Sequence, residues 1–388
     1  MLLPRSDLPG QTERALAELA LSGDWVAAKA SAPTIECVPL GERFVLHSPR
    51  SGAILTTDHL GVAVLADPAA AARAADLPAS VVGEIIRAWH DAGLFHAQAP
   101  QFPDPVEDRG QLAAHHVHYA SRWGAISIET DDPVLARQLD EILWPFRVAT
   151  RTTAPGGQLR CVGCDGGGLG VFRGARALWG RASVDVARYL IVREAAEALC
   201  GVDRVGAVLH GAAVCRQGKA ILILGDSGRG KSTLAQGLID AGCGYLADDH
   251  LPLHVNGTQI LAFPTGSAIK RGARHLDEVR RLQALYGGRG GSRDGVSYLP
   301  LEAAVAPGTA VPLSAIVFPE HVTGEGLSMS PMDPEAAFVK AISSGSRPSR
   351  QGALIAPLVK LFSAVPAYAL RYGTSSQSVR ACLDLLAA

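Results

Sequence analysis

The most informative part of the chain is a glycine-rich segment near its middle. It consists of Gly225, Asp226, Ser227, Gly228, Arg229, Gly230, Lys231 and Ser232, with Thr233 directly after it. The segment fits the pattern G-x-x-x-x-G-K-[ST], in which glycines let backbone amides turn toward phosphate oxygens. The lysine would contact the outer phosphates, and the serine hydroxyl would bind Mg²⁺. Residues 225–233 therefore predict a P-loop that binds a nucleoside triphosphate, taken to be ATP, with Mg²⁺.

Two adjacent carboxylates, Asp248 and Asp249, follow a short apolar run further along the chain. Consecutive elements tend to be neighbours, so this run is expected near the strand before the loop. One carboxylate, assigned to Asp248, would then hold Mg²⁺ together with Ser232. Either aspartate could accept the proton of an attacking hydroxyl, and the residues leave open which one does so. An ordinary Asp-rich turn is the alternative interpretation.

A histidine precedes the loop, in the sequence Leu209-His210-Gly211. It ends the strand predicted before the loop strand. A histidine beside a phosphate site could hydrogen-bond a transferring phosphoryl group or one of the aspartates. A structural histidine with its own hydrogen bonds satisfied is the alternative.

Strands and helices alternate around these residues. The apolar run Ala220–Leu224 predicts a strand before the loop, and Lys231–Ala241 predicts a helix after it, ended by Gly242. Further strands are predicted at Trp123–Glu129, Val208–Val214, Gly244–Ala247 and Leu313–Phe318, and further helices at Ser183–Leu199, at His275–Leu285, after Asp333-Pro334 and around Val379–Leu386. This alternation predicts an α/β layered body.

A proline-rich stretch at 99–111 divides the chain into a domain of residues 1–98 and a body of residues 112–388. The first part contains runs that predict a small β-meander, followed by helices. The strands are Ile35–Val38, Phe44–His47 and Ala53–Thr57, and the helices are Pro68–Ala75 and Ser80–Leu94. This order indicates a winged-helix-like α+β domain.

Composition limits the partners. The chain has 388 residues and a formal net charge of −1, and 48% of its residues are hydrophobic. It is therefore expected to be globular and cytoplasmic, with neither nucleic acid nor a membrane as partner. No signal peptide and no membrane-spanning stretch are expected. A homo-oligomer is compatible with the sequence.

Two weaker signals stand outside this pattern. Cys161 and Cys164 form a lone C-x-x-C motif, and they are interpreted as incidental free thiols, because further metal ligands at the usual spacing are absent from the sequence nearby. The glycine-rich stretch Tyr286–Gly295 is interpreted either as a lid or as a solvated loop.

Three segments together resemble the HPr kinase/phosphorylase family and its HPr serine kinase-like relatives. They are Leu209-His210-Gly211, Gly225–Ser232 and Ala247-Asp248-Asp249. The resemblance implies the mixed sheet of phosphoenolpyruvate carboxykinases around the P-loop. It also implies that Lys231 and Ser232 bind phosphate and metal, that His210 lies beside the aspartates, and that one aspartate acts as general base on a serine hydroxyl.

The stretch Ile35–Phe95 is similar to the pyrroloquinoline-quinone biosynthesis chaperone (PqqD) family, whose small winged-helix modules hold peptides. The expected function is thus an ATP–Mg²⁺-dependent kinase acting on a serine-like hydroxyl of a peptide, a protein or a small molecule, in a peptide-modification pathway if the second resemblance holds. Lys231, His210, Asp248 and Asp249 are the predicted catalytic residues. A nucleotide-gated peptide-binding module without phosphotransfer is the alternative.

Overall fold

The computed structural model describes most of the chain. The described residues are 35–96, 113–149, 157–164, 167–174, 176–270, 296–299, 304–350 and 354–387. The chain divides into two compact units, Met1–Gln101 and Phe102–Ala388. The predicted linker 99–111, the predicted helix His275–Leu285 and the stretch Tyr286–Gly295 lie outside the described residues.

The first unit contains an antiparallel sheet followed by three described helices. The strands are β1 (Glu36–Leu40), β2 (Arg43–His47) and β3 (Ile54–Thr57), and the helices are α1 (His59–Ala66), α2 (Pro68–Ala74) and α3 (Ala79–Asp91). The predicted meander is confirmed, because β2 pairs antiparallel with both β1 and β3. Helix α1 was not predicted. Its start is fixed by Asp58, whose carboxylate accepts the Gly61 N–H at 2.9 Å.

The core of the first unit lies between its sheet and its helices. Leu46 of β2, Val64 of α1, Trp89 of α3 and Leu94 are buried together. Burial of several large side chains of this kind stabilises the unit by about 1.5–3 kcal/mol for each side chain. The meander and the helices are thus held by one shared apolar cluster.

The second unit begins with a six-stranded mixed sheet. In spatial order its strands are β6 (Arg147–Val148), β4 (His115–Ala120), β5 (Ala125–Thr130), β7 (Gln158–Gly163), β8 (Leu169–Arg173) and β9 (Arg176–Ala182). Helix α4 (Pro133–Leu143) follows β5 and continues into a short 3₁₀ helix, Trp144–Phe146. The Asp132 side chain caps α4 by accepting two backbone N–H bonds.

A larger, ten-stranded sheet follows in the same unit. Its strands are β10 (Val205–Leu209), β11 (Gly211–Arg216), β12 (Lys219–Leu224), β13 (Gly244–Asp248), β14 (Leu251–His254), β15 (Gln259–Leu261), β18 (Ala310–His321), β19 (Ser328–Pro331), β20 (Arg347–Pro348) and β21 (Ala367–Tyr372). A separate pair is formed by β16 (Ser267–Lys270) and β17 (Val296–Leu299). The remaining described helices are α5 (Val184–Cys200), α6 (Lys231–Asp240), α7 (Pro334–Ser343), α8 (Ala356–Ala364) and α9 (Ser375–Ala387).

The long strand β18 connects two halves of this sheet. Its residues 310–312 pair with β15, and its residues 313–321 pair with β12 and β21. Strands β10 and β11 lie in different halves, although only His210 separates them in the chain. The sheet must therefore curl so that its two halves meet at His210.

One prediction needs correction here. The run Val208–Val214 was predicted as one strand, but it is split into β10 and β11, because each part pairs with different neighbours. Strand β13 pairs with β11 and lies one strand away from β12, near the loop strand as predicted. The strand β12, the helix α6 and the helix α7, which Asp333 caps, are confirmed.

Helices α6 and α9 cover one face of the ten-stranded sheet. Leu234 and Leu238 of α6 and Cys382 of α9 are buried against Ile221 and Ile223 of β12. The packing fixes the start of α6 relative to the end of β12. None of the described helices combines the length and the apolar composition needed to cross a membrane. The mixed α/β architecture agrees with the predicted class.

Candidate functional site

The predicted site begins with the loop between β12 and α6. Residues 226–229 are exposed, whereas Lys231 is buried. Gly230 has φ +91°, a left-handed conformation that glycine adopts at little cost. A Cβ at this position would also lie 2.6 Å from the Tyr372 hydroxyl oxygen. Both restraints explain why glycine stands directly before the helix.

The start of α6 has the features of an anion-binding helix terminus. Its N-cap residue is Gly230, which makes no side-chain hydrogen bond to the first turn. The first amides of a helix carry partial positive charge and need acceptors, so such an end attracts anions. Thr233 lies in this first turn and is half-buried.

The Lys231 ammonium lies against the beginning of the same loop. Its Nζ donates to the carbonyl oxygen of Gly225 at 2.7 Å and to that of Asp226 at 2.9 Å. The side chain is only 7% exposed. A cation is therefore held inside the loop, close to the start of α6, where it adds to the positive end of the helix.

A hydrogen bond connects α6 with the end of β13. The Ser232 hydroxyl donates to Asp248 Oδ1 at 3.1 Å, and the same oxygen accepts the Asp249 N–H at 3.1 Å. Asp248 is 3% exposed. The structure thus brings together the serine and the aspartate that were predicted as metal ligands.

Asp249 and His210 form a second contact of the site. The His210 Nδ1–H donates to the backbone carbonyl of Asp249 at 3.2 Å, so a neutral ring presents Nε2 as an acceptor. Asp249 has φ +64°, a conformation uncommon outside glycine. Within the described residues its carboxylate makes no hydrogen bond, whereas that of Asp248 makes two. The two aspartates are therefore chemically distinct.

His250 directly follows the acid pair, and its buried side chain contacts α5. Its Nε2–H donates to the backbone carbonyl of Tyr189 at 3.1 Å, and the two rings lie 4.7 Å apart. Burial lowers the pKa of His250 to about 4, with Asp249 opposing the shift and His210 and Arg193 adding to it. The imidazole is therefore neutral near pH 7, and it acts as a fixed spacer between α5 and the acid pair.

A cleft of about 60 Å³ opens beside these residues. Its lining includes Asp248, Asp249 and His250 together with Arg188 and Tyr189 of α5. Ile142, Val192, Thr265 and Gly266 complete the lining. The acid pair therefore faces a small space as well as the start of α6.

The donor set suits a hard cation. Ser232 and Asp248 offer only oxygen atoms, which Mg²⁺ prefers, and Mg²⁺ usually takes one or two carboxylates together with phosphate and water. No group of three or more His, Cys, Asp or Glu side chains suited to a metal occurs among the described residues. A site at which phosphate oxygens supply some of the metal ligands fits this arrangement better than a site enclosed by protein ligands.

The two cysteines of the C-x-x-C motif are free thiols. Cys161 is buried in β7, and Cys164 is half-buried.

Several residues of the site carry no motif in the sequence. Arg188 and Tyr189 lie within a long helix, and Ser346, whose Oγ accepts the His210 N–H at 3.3 Å, comes from the turn after α7. His250 had a local signal, because it directly follows the acid pair. The others are brought in by the packing of α5 and by the pairing of β20 with β10.

Comparison with models of known protein families gives no match, and comparison with curated proteins gives none either. These two comparisons add nothing to what the residues and geometry of the site indicate.

Proposed function

We propose that the protein is an ATP–Mg²⁺-dependent kinase that phosphorylates a serine-like hydroxyl of a peptide, a protein or a small molecule. The observation that carries the proposal is the hydrogen bond between Ser232 and Asp248. It joins the end of a phosphate-binding sequence pattern to an acid pair across two different elements. The resemblance of the three segments to HPr kinase-like proteins supports the same function.

The loop residues have separate tasks in this proposal. The amides of 225–230, the start of α6 and the Lys231 ammonium bind the phosphates of ATP. Ser232 and Asp248 would hold Mg²⁺, which when bound neutralises charge on the phosphate oxygens. Lys231 exchanges its bonds to loop carbonyls for bonds to phosphate.

The acid pair and the histidine act on the acceptor. Asp249 is assigned as the base, because Asp248 is engaged with Ser232 while the Asp249 carboxylate has no hydrogen bond within the described residues. A bond forms between the acceptor oxygen and the γ-phosphorus, and the bond from that phosphorus to the β,γ-bridging oxygen breaks. Its electron pair leaves with ADP, and the acceptor proton passes to Asp249. His210 positions Asp249 through its backbone carbonyl.

The direct test is incubation of the protein with γ-labelled ATP, Mg²⁺ and a cell lysate or candidate peptides, followed by mass spectrometry. We expect one class of hydroxyl-bearing molecule to gain phosphate, and we expect the gain to disappear with Asp249→Asn. ATP binding without any phosphate transfer would contradict the kinase and would fit a nucleotide-gated binding module instead.

A further inference from the structure

The cleft beside the acid pair can admit part of a substrate. Its volume is about 60 Å³, which is enough for a small polar group such as a hydroxymethyl group.

Arg188 of α5 lines the same cleft as the acid pair. Its side chain is 18% exposed, and its Nη1 donates to Asp185 at 2.8 Å and to Gln138 at 3.0 Å. Its Nη2 and Nε make no hydrogen bond within the described residues. Asp185 is 75% exposed, so this ion pair is weak and leaves the guanidinium able to bind another anion.

Among the charged side chains around the cleft, Arg188 is the one that can attract an anionic acceptor. Asp248 and Asp249 are acidic, and Arg188 is the one arginine or lysine among the described residues that line the cleft. An acceptor that carries a negative group would be repelled by the acid pair and by the phosphates of ATP. A guanidinium offset from the acid pair can hold such a group by two parallel hydrogen bonds.

Tyr189 contributes its aromatic ring to the lining of the cleft. Its ring lies 4.7 Å from that of His250 and 6.5 Å from that of His210. Its hydroxyl oxygen lies 3.7 Å from where a Cβ on Gly345 would stand, and it forms no hydrogen bond within the described residues. The cleft lining thus includes a phenol and a guanidinium from consecutive residues of α5.

We propose that the acceptor carries a carboxylate or phosphate next to its reacting hydroxyl, and that Arg188 binds this anionic group. The inference rests on the proposed kinase function and narrows its substrate class. The same chemistry can come from a small hydroxy acid or from a serine flanked by an acidic residue in a peptide.

Matched acceptor pairs test the inference with the wild-type protein. ADP release from MgATP is measured with D-glycerate against glycerol, and with an N-acetyl-Ser-Glu-amide peptide against its Ser-Gln counterpart. We expect the acidic member of one pair to have a kcat/KM at least about 10-fold higher, since hydrogen bonds to charged groups contribute about 1.5–3 kcal/mol. The pair that responds identifies the source of the anion. Equal rates within both pairs would overturn the inference.

Variants then test the role of Arg188. Arg188→Gln should raise KM for the preferred acid at least about 10-fold with a smaller change in kcat, and Arg188→Lys should recover part of the loss. Arg137→Gln, an equal charge change at an exposed position of α4, serves as the control. An equal effect of Arg188→Gln on the acidic and neutral members would also contradict the proposal.

Failure of the inference can be separated from failure of the kinase. Binding of MgATP, and hydrolysis that is lost in Asp249→Asn, report the kinase site without any acceptor. If the protein binds MgATP and shows this hydrolysis but prefers no acidic acceptor, only the inference about Arg188 is contradicted. If MgATP does not bind, the proposed function and the inference fall together.

Discussion

The two walls of the candidate site are built in different ways. The glycine-rich wall, Gly225–Ser232, is one continuous segment with exposed residues at 226–229, and it is held mainly through backbone carbonyls that bind the Lys231 ammonium. The opposite wall combines Tyr189 of α5 with Asp249 and His250 of the turn between β13 and β14, and its histidine is 5% exposed. The exposed residues of the first wall can change conformation locally. The buried residues of the second wall can move only if the side chains packed around them also move. Substitutions should therefore affect ligand binding at the first wall and both chemistry and stability at the second.

The largest effect is expected at the second wall, from Asp249→Asn. Phosphoryl transfer should fall about 10²–10⁴-fold, because that is the usual contribution of a general base. Asparagine tolerates the left-handed conformation of this residue, so the fold should be retained. Steady-state ADP release and a thermal melt measure the two quantities. Asp240→Asn, at the exposed end of α6, is the control, and wild-type turnover in Asp249→Asn would refute its role as base.

Acid should weaken the second wall through His250. Its pKa is about 4 in the folded protein, below the ordinary histidine value of about 6.5, so the unfolded chain binds a proton between these pH values and the folded protein does not. Stability contributed by the neutral ring is then lost as the pH falls from about 6.5 toward 4, by up to about 3 kcal/mol.

Urea unfolding of the wild type and of His250→Gln at pH 7 and pH 4.5 measures this contribution. The variant should show a smaller loss on acidification, whereas His321→Gln, at an exposed position, should behave as the wild type. Identical pH dependence in the wild type and His250→Gln would contradict the assignment of a buried neutral imidazole.

At the glycine-rich wall, two glycines separate backbone strain from steric overlap. Gly228 and Gly230 have φ of +84° and +91°, so alanine at either position should cost about 1–2 kcal/mol. At Gly228 no heavy atom beyond its chain neighbours, in the part of the chain that the structure describes, lies within 4 Å of the added Cβ, whereas at Gly230 the Tyr372 hydroxyl lies 2.6 Å away. Gly230→Ala should therefore cost about 1 kcal/mol more than Gly228→Ala.

The free energies of unfolding of both variants measure this difference. Tyr372→Phe removes the overlapping oxygen, so in that background the two alanine variants should become nearly equal. A difference that persists without the hydroxyl would show that the close approach is not its cause.

The smallest effect is expected for Arg229→Gln. Arg229 is paired with Glu320 at 3.0 Å, but both side chains are substantially exposed, at 52% and 42%. Surface ion pairs of this kind contribute about 0–1 kcal/mol. A change in the free energy of unfolding above about 1 kcal/mol would indicate that the exposed part of the loop is more rigidly held than its contacts suggest.

The strand, loop and helix around Lys231 could be predicted because their signals are local. An apolar run, a glycine-rich turn and an amphipathic stretch lie next to one another between residues 219 and 240. The start of α7 was predicted for the same reason, because Asp333 and Pro334 form a cap that depends only on neighbouring residues.

The second wall could not be predicted in this way. The strand breaks at His210 because β10 pairs with β14 whereas β11 pairs with β12. These pairings cannot be predicted from a local run of apolar residues. Arg188 and Tyr189 look like any other residues of a long helix until α5 packs beside the acid pair. Their place in the site depends on tertiary contacts rather than on spacing.

The central claim is that the glycine-rich loop, with Lys231, binds a triphosphate. Isothermal titration of the full chain with ATP and Mg²⁺ tests it most directly, with Lys231→Ala as the variant and Lys219→Ala, an exposed lysine of β12, as the control. We expect the wild type and the control to bind MgATP alike and Lys231→Ala to bind at least about 10-fold more weakly, since loss of a charged hydrogen-bonding group costs about 1.5–3 kcal/mol. Equal affinity of Lys231→Ala and the wild type, or no binding by the wild type, would contradict the account.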